Sequence, residues 1–305
     1  MKNVKLSVII IGYNSSNSLK SCLSSINYQK DINDIVEVVY VDDGSSDNSI
    51  DVFNSFKLKF QKICIKHPNN LGRNFARNSG IQNASGEWCL FVNSSVYLNE
   101  NILFNYLFEI NNSDYKIFTG NINYTCLDRN FEIFLNSSYR AINGLKTKQA
   151  IHYYYLLFSN ACIKKSLLLK NMFDENFIGY GGSEMETAYR LSLNYKILFI
   201  PNTVVTRFNH PPLIQHYNRI ESFGGKNLFF VFQKIAKKNL PKSFSFFYLF
   251  FNKSSFLFVP FIYVFRWLLY CSLNIFPNII KFRLIKCILG LSMILGIAQN
   301  KYLFK

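Results

Sequence analysis

An α/β fold, a mostly parallel sheet flanked by helices on both faces, is predicted by three observations. Several β-branched runs near the N-terminus, such as "KLSVIII" and "IVEVVYV", are apolar without a break, so both faces of those strands are buried. They alternate with segments of helical spacing, which makes consecutive strands parallel. Polar, glycine-bearing punctuation ("GYNSS", "DDGSSD", "NSS") falls where those strands end, the edge at which such sheets hold ligands.

In chain order, "KLSVIII" is a strand bounded by Gly12 and Asn14. "SNSLKSCLSSINYQ" is a helix whose apolar positions are Leu19, Cys22, Leu23 and Ile26. "IVEVVYV" is the second strand, "SDNSIDVFNSFKLKF" a helix capped by Ser or Asp, and "KICIK" a short third strand. "GRNFARNSGIQNA" is a helix, "EWCLFV" the fourth strand, and Asn99 is the expected cap of the helix "ENILFNYLFEI". From 115 to 170 the pattern mixes short strands, with "HYYYLLFSNACI" expected as a packed strand. "FDENFIGYGGSEMETAYRLSLNYKILFI" is a Gly-rich loop, a helix and a strand. No internal repeat or low-complexity linker is visible.

Charge divides the 305 residues in two. Residues 1–221 carry 22 Lys+Arg against 18 Asp+Glu, whereas 222–305 carry 12 Lys+Arg and no acid. The first part is expected to be the catalytic domain (1–112 and 113–221 as its two halves) and the second a basic, apolar helical tail. Such a tail suits an anionic membrane surface. Nucleic acid is excluded as a partner because "FSFFYLFF" and "CILGLSMILGIA" are far too apolar. Residues 255–276 hold one charge, Arg266, and the flanks interleave Lys with Phe, Leu and Ile. A tail lying in the interface is favoured over a single span or a buried apolar subdomain. Seven scattered Cys with no CxxC pair, and no signal sequence at the N-terminus, place the protein in the cytoplasm, on the inner face of the cytoplasmic membrane.

Four segments, "SVIIIGYNSSNSLKSCLSSI", "VVYVDDGSSDNS", "NNLGRNFARNSGIQNASGEWCLFV" and "FDENFIGYGGSEMETAYRL", occur in order over residues 5 to about 210. Together they resemble a family 2 glycosyltransferase with the GT-A (Rossmann-like) fold. The resemblance implies transfer of a sugar, with inversion, from a nucleotide-diphosphate donor to an acceptor hydroxyl. The acceptor is expected to be a lipid-linked saccharide of envelope polysaccharide or glycolipid synthesis. A non-catalytic subunit that binds nucleotide or scaffolds partner enzymes is the alternative.

Carried over residue by residue, Tyr13 lies over the base, while Asp42 and Asp43 accept hydrogen bonds from base or ribose. The local reading is a helix cap plus a turn, which accounts for Asp47 better than for an adjacent pair at a strand end. Gly72 turns the backbone ahead of a helix on which Arg73 and Arg77 share one face, a phosphate-binding arrangement. Arg77 equally suits holding the loop. At 93–95 the family pattern is Asp-x-Asp around Mg²⁺ or Mn²⁺, and here Asn93 and Ser95 supply no carboxylate. His210 matches the place of a third metal ligand in the family, against the alternative of a structural histidine. The divalent cation is therefore expected to be weakened or dispensable, with Arg73, Arg77 and nearby Lys as the metal-free source of counter-charge; no organic cofactor is implied. "GYGGSEMETAYRL" resembles the acceptor loop and helix start: Gly181 and Gly182 line the acceptor site, Glu184 is the general base and Glu186 the second candidate. His67, His152 and His216 carry no assigned role.

Overall fold

The computed structural model describes residues 5–30, 32, 35–140, 142–242, 244 and 259–299. The sheet runs β3-β2-β1-β4-β8-β6-β9-β5, with β7 paired to β9 off that path. Its first half is parallel, as the alternation predicts: β1 (Lys5–Gly12) lies between β2 (Ile35–Asp42) and β4 (Trp88–Asn93), and β3 (Gln61–Lys66) borders β2. The second half mixes directions. β8 (Ala161–Lys164) runs antiparallel to both β4 and β6 (Ile117–Cys126), whereas β9 (Ile197–His210) is parallel to β6. β5 (Val96–Leu98) and β7 (Gln149–Ile151) are antiparallel partners of β9.

Every residue of β1 after Lys5 is buried, which a strand covered on both faces requires. Alternation sends Leu6, Val8 and Ile10 into one core and Ile9 and Ile11 into the other. The first core is closed by α1 (Ser16–Asn27), α2 (Ser49–Ser55), α4 (Ile102–Asn112) and α5 (Arg129–Asn136). The second is closed by α3 (Arg73–Asn83), α6 (Lys165–Lys170), α7 (Ser183–Ser192) and α9 (Leu228–Lys234). α5 has a side-chain cap, Asp128 Oδ1 accepting from Phe131 N at 3.0 Å.

Two sequence expectations fail locally. The cap of α4 is Asn101, in a left-handed conformation, because Asn99 is committed elsewhere: its carbonyl accepts from Gln29 and its Oδ1 from Thr206. Tyr153–Tyr155 forms a 3-10 turn rather than a strand, its rings stacking among His152, Tyr154 and Tyr189.

The tail belongs to the body of the fold as far as it is described. α8 (Leu213–Lys226) runs straight through position 221, so the end of the acidic residues is not a break in the backbone. The helix Asn278–Gln299 packs along α8 and feeds Ile285 and Ile288 to one core and Met293 and Ile297 to the other. The approach is close: a Cβ on Gly296 would stand 1.9 Å from the Glu221 carbonyl oxygen. Arg266, on the helix Val259–Ser272, turns inward, where Nη1 reaches Glu221 Oε2 at 2.7 Å and Ser292 Oγ at 3.0 Å. Its charge is paired, so it has no need to snorkel. Most of "FSFFYLFF" (245–251) lies outside the described residues. No helix among the described residues is long and apolar enough to cross a membrane.

Candidate active site

The donor edge is built from the loops that leave β1 and β2 and the turn before α3. Asp42 is fully buried, its Oδ1 accepting from Ser45 N at 2.8 Å and its Oδ2 from the Tyr40 hydroxyl at 3.2 Å. Asp43 is a latch: its carboxylate accepts from Leu71 N (3.0 Å), Gly72 N (2.9 Å) and the His67 ring (2.9 Å). His67, which the sequence left without a role, thereby ties the turn to α3 through Ser79 Oγ at 2.9 Å. Both aspartates point into the structure, and Tyr13, 51% exposed, is the part of this wall that faces solvent.

α3 spends its polar face on the acceptor loop. Asn74 Nδ2 donates to the carbonyls of Asp174 and Phe177, and Asn78 Nδ2 to that of Phe173. Arg73 reaches Gly179 O at 3.2 Å. Arg77, 1% exposed, is sandwiched against the rings of Phe173 and Phe158 and donates through Nη2 to Glu184 Oε1. As placed, Arg77 ties α3 to the start of α7, the second of the two arrangements the sequence allows. Asp43, Arg73, Arg77 and Glu184 thus form one connected rim from the loop after β2, through α3, to the start of α7.

Glu184 is 39% exposed, the one carboxylate of this rim with a face open to solvent. Burial alone would raise its pKa; the charges of Arg77, Arg73 and Arg207 outweigh that and hold it below the ordinary glutamate value. Glu186 is 3% exposed and bound bidentately by Arg190, Oε1 to Nε at 2.7 Å and Oε2 to Nη2 at 3.0 Å. Both its oxygens are thus engaged inside the protein. Gly181 and Gly182 have φ of 83° and 92°, and a Cβ on them would meet the Phe223 and Phe177 rings at 2.9 and 2.8 Å. Sequence reasoning missed what secures this loop: Asn227 Nδ2 donates to Ile178, Tyr180 and Gly181 carbonyls at 3.0, 3.2 and 2.9 Å. Asn227 falls within 222–305, the stretch that composition marks as tail.

The position for a cation is poorly equipped. Asn93 Nδ2 donates to Ser159 Oγ at 2.8 Å, leaving a lone amide oxygen, Oδ1, buried without a partner among the described residues. Ser95 contributes its backbone oxygen to Phe208 N at 3.3 Å and offers one hydroxyl. His210 is 6% exposed, with Nδ1 bonded to Pro211 O at 2.9 Å and its ring against Tyr124, Phe131 and His216. Burial, with the charges of Arg207, Arg140 and Arg219, pushes its pKa down to about 4. No group of three His, Cys, Asp or Glu that could hold a metal ion occurs among the described residues. A hard divalent cation wants charged oxygens, and neutral ligands in a field of arginines do not fit it.

Those arginines are the other residues the sequence did not single out. Arg73 and Arg219 lie 5.6 and 5.9 Å from the centre of the Tyr180 ring. Arg207 is directly across from Val96 in the β5–β9 pairing, next to the 93–95 turn. Arg219 is held down in pKa by burial first, then by Arg207 and Arg73.

Comparison with known proteins agrees with this architecture. The model of Glycosyl transferase family 2 matches residues 7–177. The poly(ribitol-phosphate) beta-glucosyltransferase of Bacillus spizizenii is 34% identical over 102 residues, which cover 33% of this chain and 16% of that protein. Among solved structures, Staphylococcus aureus TarS 1–349 in complex with UDP superposes with a TM-score of 0.57 at 20% identity, covering 71% of this chain and 63% of that one. The mannosyltransferase PcManGT of Pyrobaculum calidifontis, in complex with GDP-Man and Mn²⁺, has a TM-score of 0.57 at 16% identity, covering 75% and 64%. The chain thus spans less than two thirds of the length of each of these, and at such identities the structural likeness speaks to the fold. With the family model matched over more than half of its length, the chain belongs to glycosyl transferase family 2.

Proposed function

We propose that the protein transfers a sugar, with inversion, from a nucleotide-diphosphate-sugar to a hydroxyl of a saccharide acceptor, with Glu184 as general base. The observation that carries the reading is the rim itself. A part-exposed carboxylate, kept ionised by the buried Arg77, stands on the acceptor side of a cleft whose other side is the β1 and β2 exit loops. As the acceptor oxygen bonds to the anomeric carbon, the bond from that carbon to the diphosphate breaks and the acceptor proton passes to Glu184. Ion pairing makes Glu184 a weak base but one kept in the ionised form at neutral pH, and the acceptor hydroxyl acidifies sharply only as its new bond forms. Tyr13 lines the nucleoside end, Asp42 shapes the loop beneath it by accepting from Ser45 N and the Tyr40 hydroxyl, and Gly181 and Gly182 bring the acceptor loop close. The relatives bound to UDP and GDP-Man support a nucleotide donor.

The acceptor in this reading is lipid-linked, and the protein works at the cytoplasmic face of the membrane as a peripheral, monotopic enzyme. Phe261, Val264, Phe265 and Leu268 recur at helical spacing on the helix Val259–Ser272 and are 74, 58, 54 and 51% exposed, with Trp267 beside them at 62%. Exposed Arg283 and Lys286 lie on the neighbouring helix. An unpaired apolar stripe flanked by cations suits an anionic bilayer surface. Co-sedimentation with phosphatidylglycerol vesicles but weakly with phosphatidylcholine, lost in Phe261→Glu/Phe265→Glu, is the expected result.

Glu184→Gln tests the chemistry. Transfer should fall by roughly 10²- to 10⁴-fold while nucleotide affinity stays unchanged. A wild-type protein that binds nucleotide yet turns over no nucleotide-sugar would instead be the non-catalytic subunit.

A further inference from the structure

We propose that Arg207 and Arg219, with Arg73, hold the pyrophosphate of the donor in place of a divalent cation. The inference rests on the sugar-transfer reading and assigns to these side chains the counter-charge that reading needs.

Position comes first. Arg207 stands opposite Val96 in the sheet, and its neighbour Phe208 donates to Ser95 O at 3.3 Å. A guanidinium is therefore built onto the turn where a metal-binding pair of carboxylates is absent. Arg219 arrives from α8 and Arg73 from the first residue of α3, and both approach the face of Tyr180.

The second observation is that these charges outnumber the acid beside them. Arg73, Arg207 and Arg219 form no ion pair with a carboxylate among the described residues, and the nearby acid, Glu184, is already bonded to Arg77. Arg207 and Arg219 are half-buried, and burial together with Arg207 and Arg73 depresses the Arg219 pKa. Two half-buried like charges with an exposed third beside them are unfavourable by themselves, and a multiply charged anion relieves them. Guanidinium forks match phosphate oxygens bidentately, and they need no metal to do so. The same field disfavours Mg²⁺ or Mn²⁺ at Asn93, Ser95 and His210.

Calorimetric titration of the intact protein with UDP, GDP, UMP and GMP, each in EDTA and in MnCl₂, tests this. The expected result is a diphosphate that binds in EDTA at least about 10-fold tighter than its monophosphate, with little change on adding Mn²⁺. Arg207→Gln/Arg219→Gln should lose on the order of 10- to 100-fold in diphosphate affinity and leave monophosphate binding nearly intact. Diphosphate binding that requires Mn²⁺ overturns the proposal without touching the donor reading, as does a folded double variant that binds diphosphate like the wild type. Absence of binding by all four nucleotides under both conditions overturns both. The wild-type comparison of EDTA with Mn²⁺ decides the matter even if the variant fails to fold.

Discussion

The Arg77 guanidinium donates to Glu184 across 107 residues of sequence, from a bed of two phenylalanine rings. The donor-side helix and the acceptor-side helix are thereby joined at the residue assigned as base, and the ionisation of that base is governed from the opposite wall.

The pH profile should report this coupling. A base acts when deprotonated, so activity is lost as pH falls through its folded pKa. In the wild type that loss lies below the ordinary glutamate range of about 4.3, because Glu184 is depressed. Arg77→Met removes the main stabilising charge, and the acid limb of kcat/KM should move upward; Arg77→Lys should leave it near the wild-type position.

Restoring carboxylates at the turn should not simply restore a metal site. In Asn93→Asp/Ser95→Asp the new acids lie on the turn that leads into Val96, the partner of Arg207 in the sheet. Diphosphate affinity in EDTA is expected to drop, with part of it regained on adding Mn²⁺, as read by titration.

Asn227 satisfies three carbonyls of the glycine loop with one amide nitrogen. Asn227→Ala should raise the KM for acceptor and lower kcat while nucleotide affinity holds. The loss in stability should be about 1–3 kcal/mol, measured by denaturant unfolding.

The seam between α8 and the helix Asn278–Gln299 gives a graded test. A methyl on Gly296 meets a backbone oxygen at 1.9 Å, whereas one on Gly225 meets the Gly296 oxygen at 3.0 Å. Gly296→Ala should cost about 1–3 kcal/mol or more and Gly225→Ala less, read from thermal unfolding.

Acid stability should depend on Asp47. Burial opposes its ionisation, but bonds from Ser49 and Ser16 prevail and lower its pKa to about 2. A carboxylate depressed in the folded state stabilises above its unfolded pKa, and that contribution drains away as pH falls toward 2. Asp47→Asn should be less stable at neutral pH and should flatten the slope of stability between about pH 4 and pH 2.

Much of this was readable from the chain because its signals are local. Unbroken apolar runs mark β1, β2 and β4, and the spacing of Leu19, Cys22, Leu23 and Ile26 marks the inner face of α1. The glycine-rich setting of Glu184 marks the start of α7, where the structure places it beside Arg77. What escaped were decisions made by distant partners. Glu186 looks like Glu184 in sequence, and it is Arg190 on the next turn that withdraws it. Asn99 resembles a cap, yet Gln29 and Thr206 claim it first. Arg207 and Arg219 lie in stretches with no motif, and only the β5–β9 pairing and the Tyr180 ring gather them. Asn227 looked like tail because composition changes at 222, although α8 does not.

The buried pairing of Glu221 with Arg266 has a practical corollary for anyone wishing to prepare this protein. A chain cut after 221 would strand that acid, uncover both cores where Ile285, Ile288, Met293 and Ile297 had sat, and release the clasp of Asn227. A form easier to handle in water is better sought by recolouring the outward stripe at Phe261, Phe265 and Leu268 than by trimming.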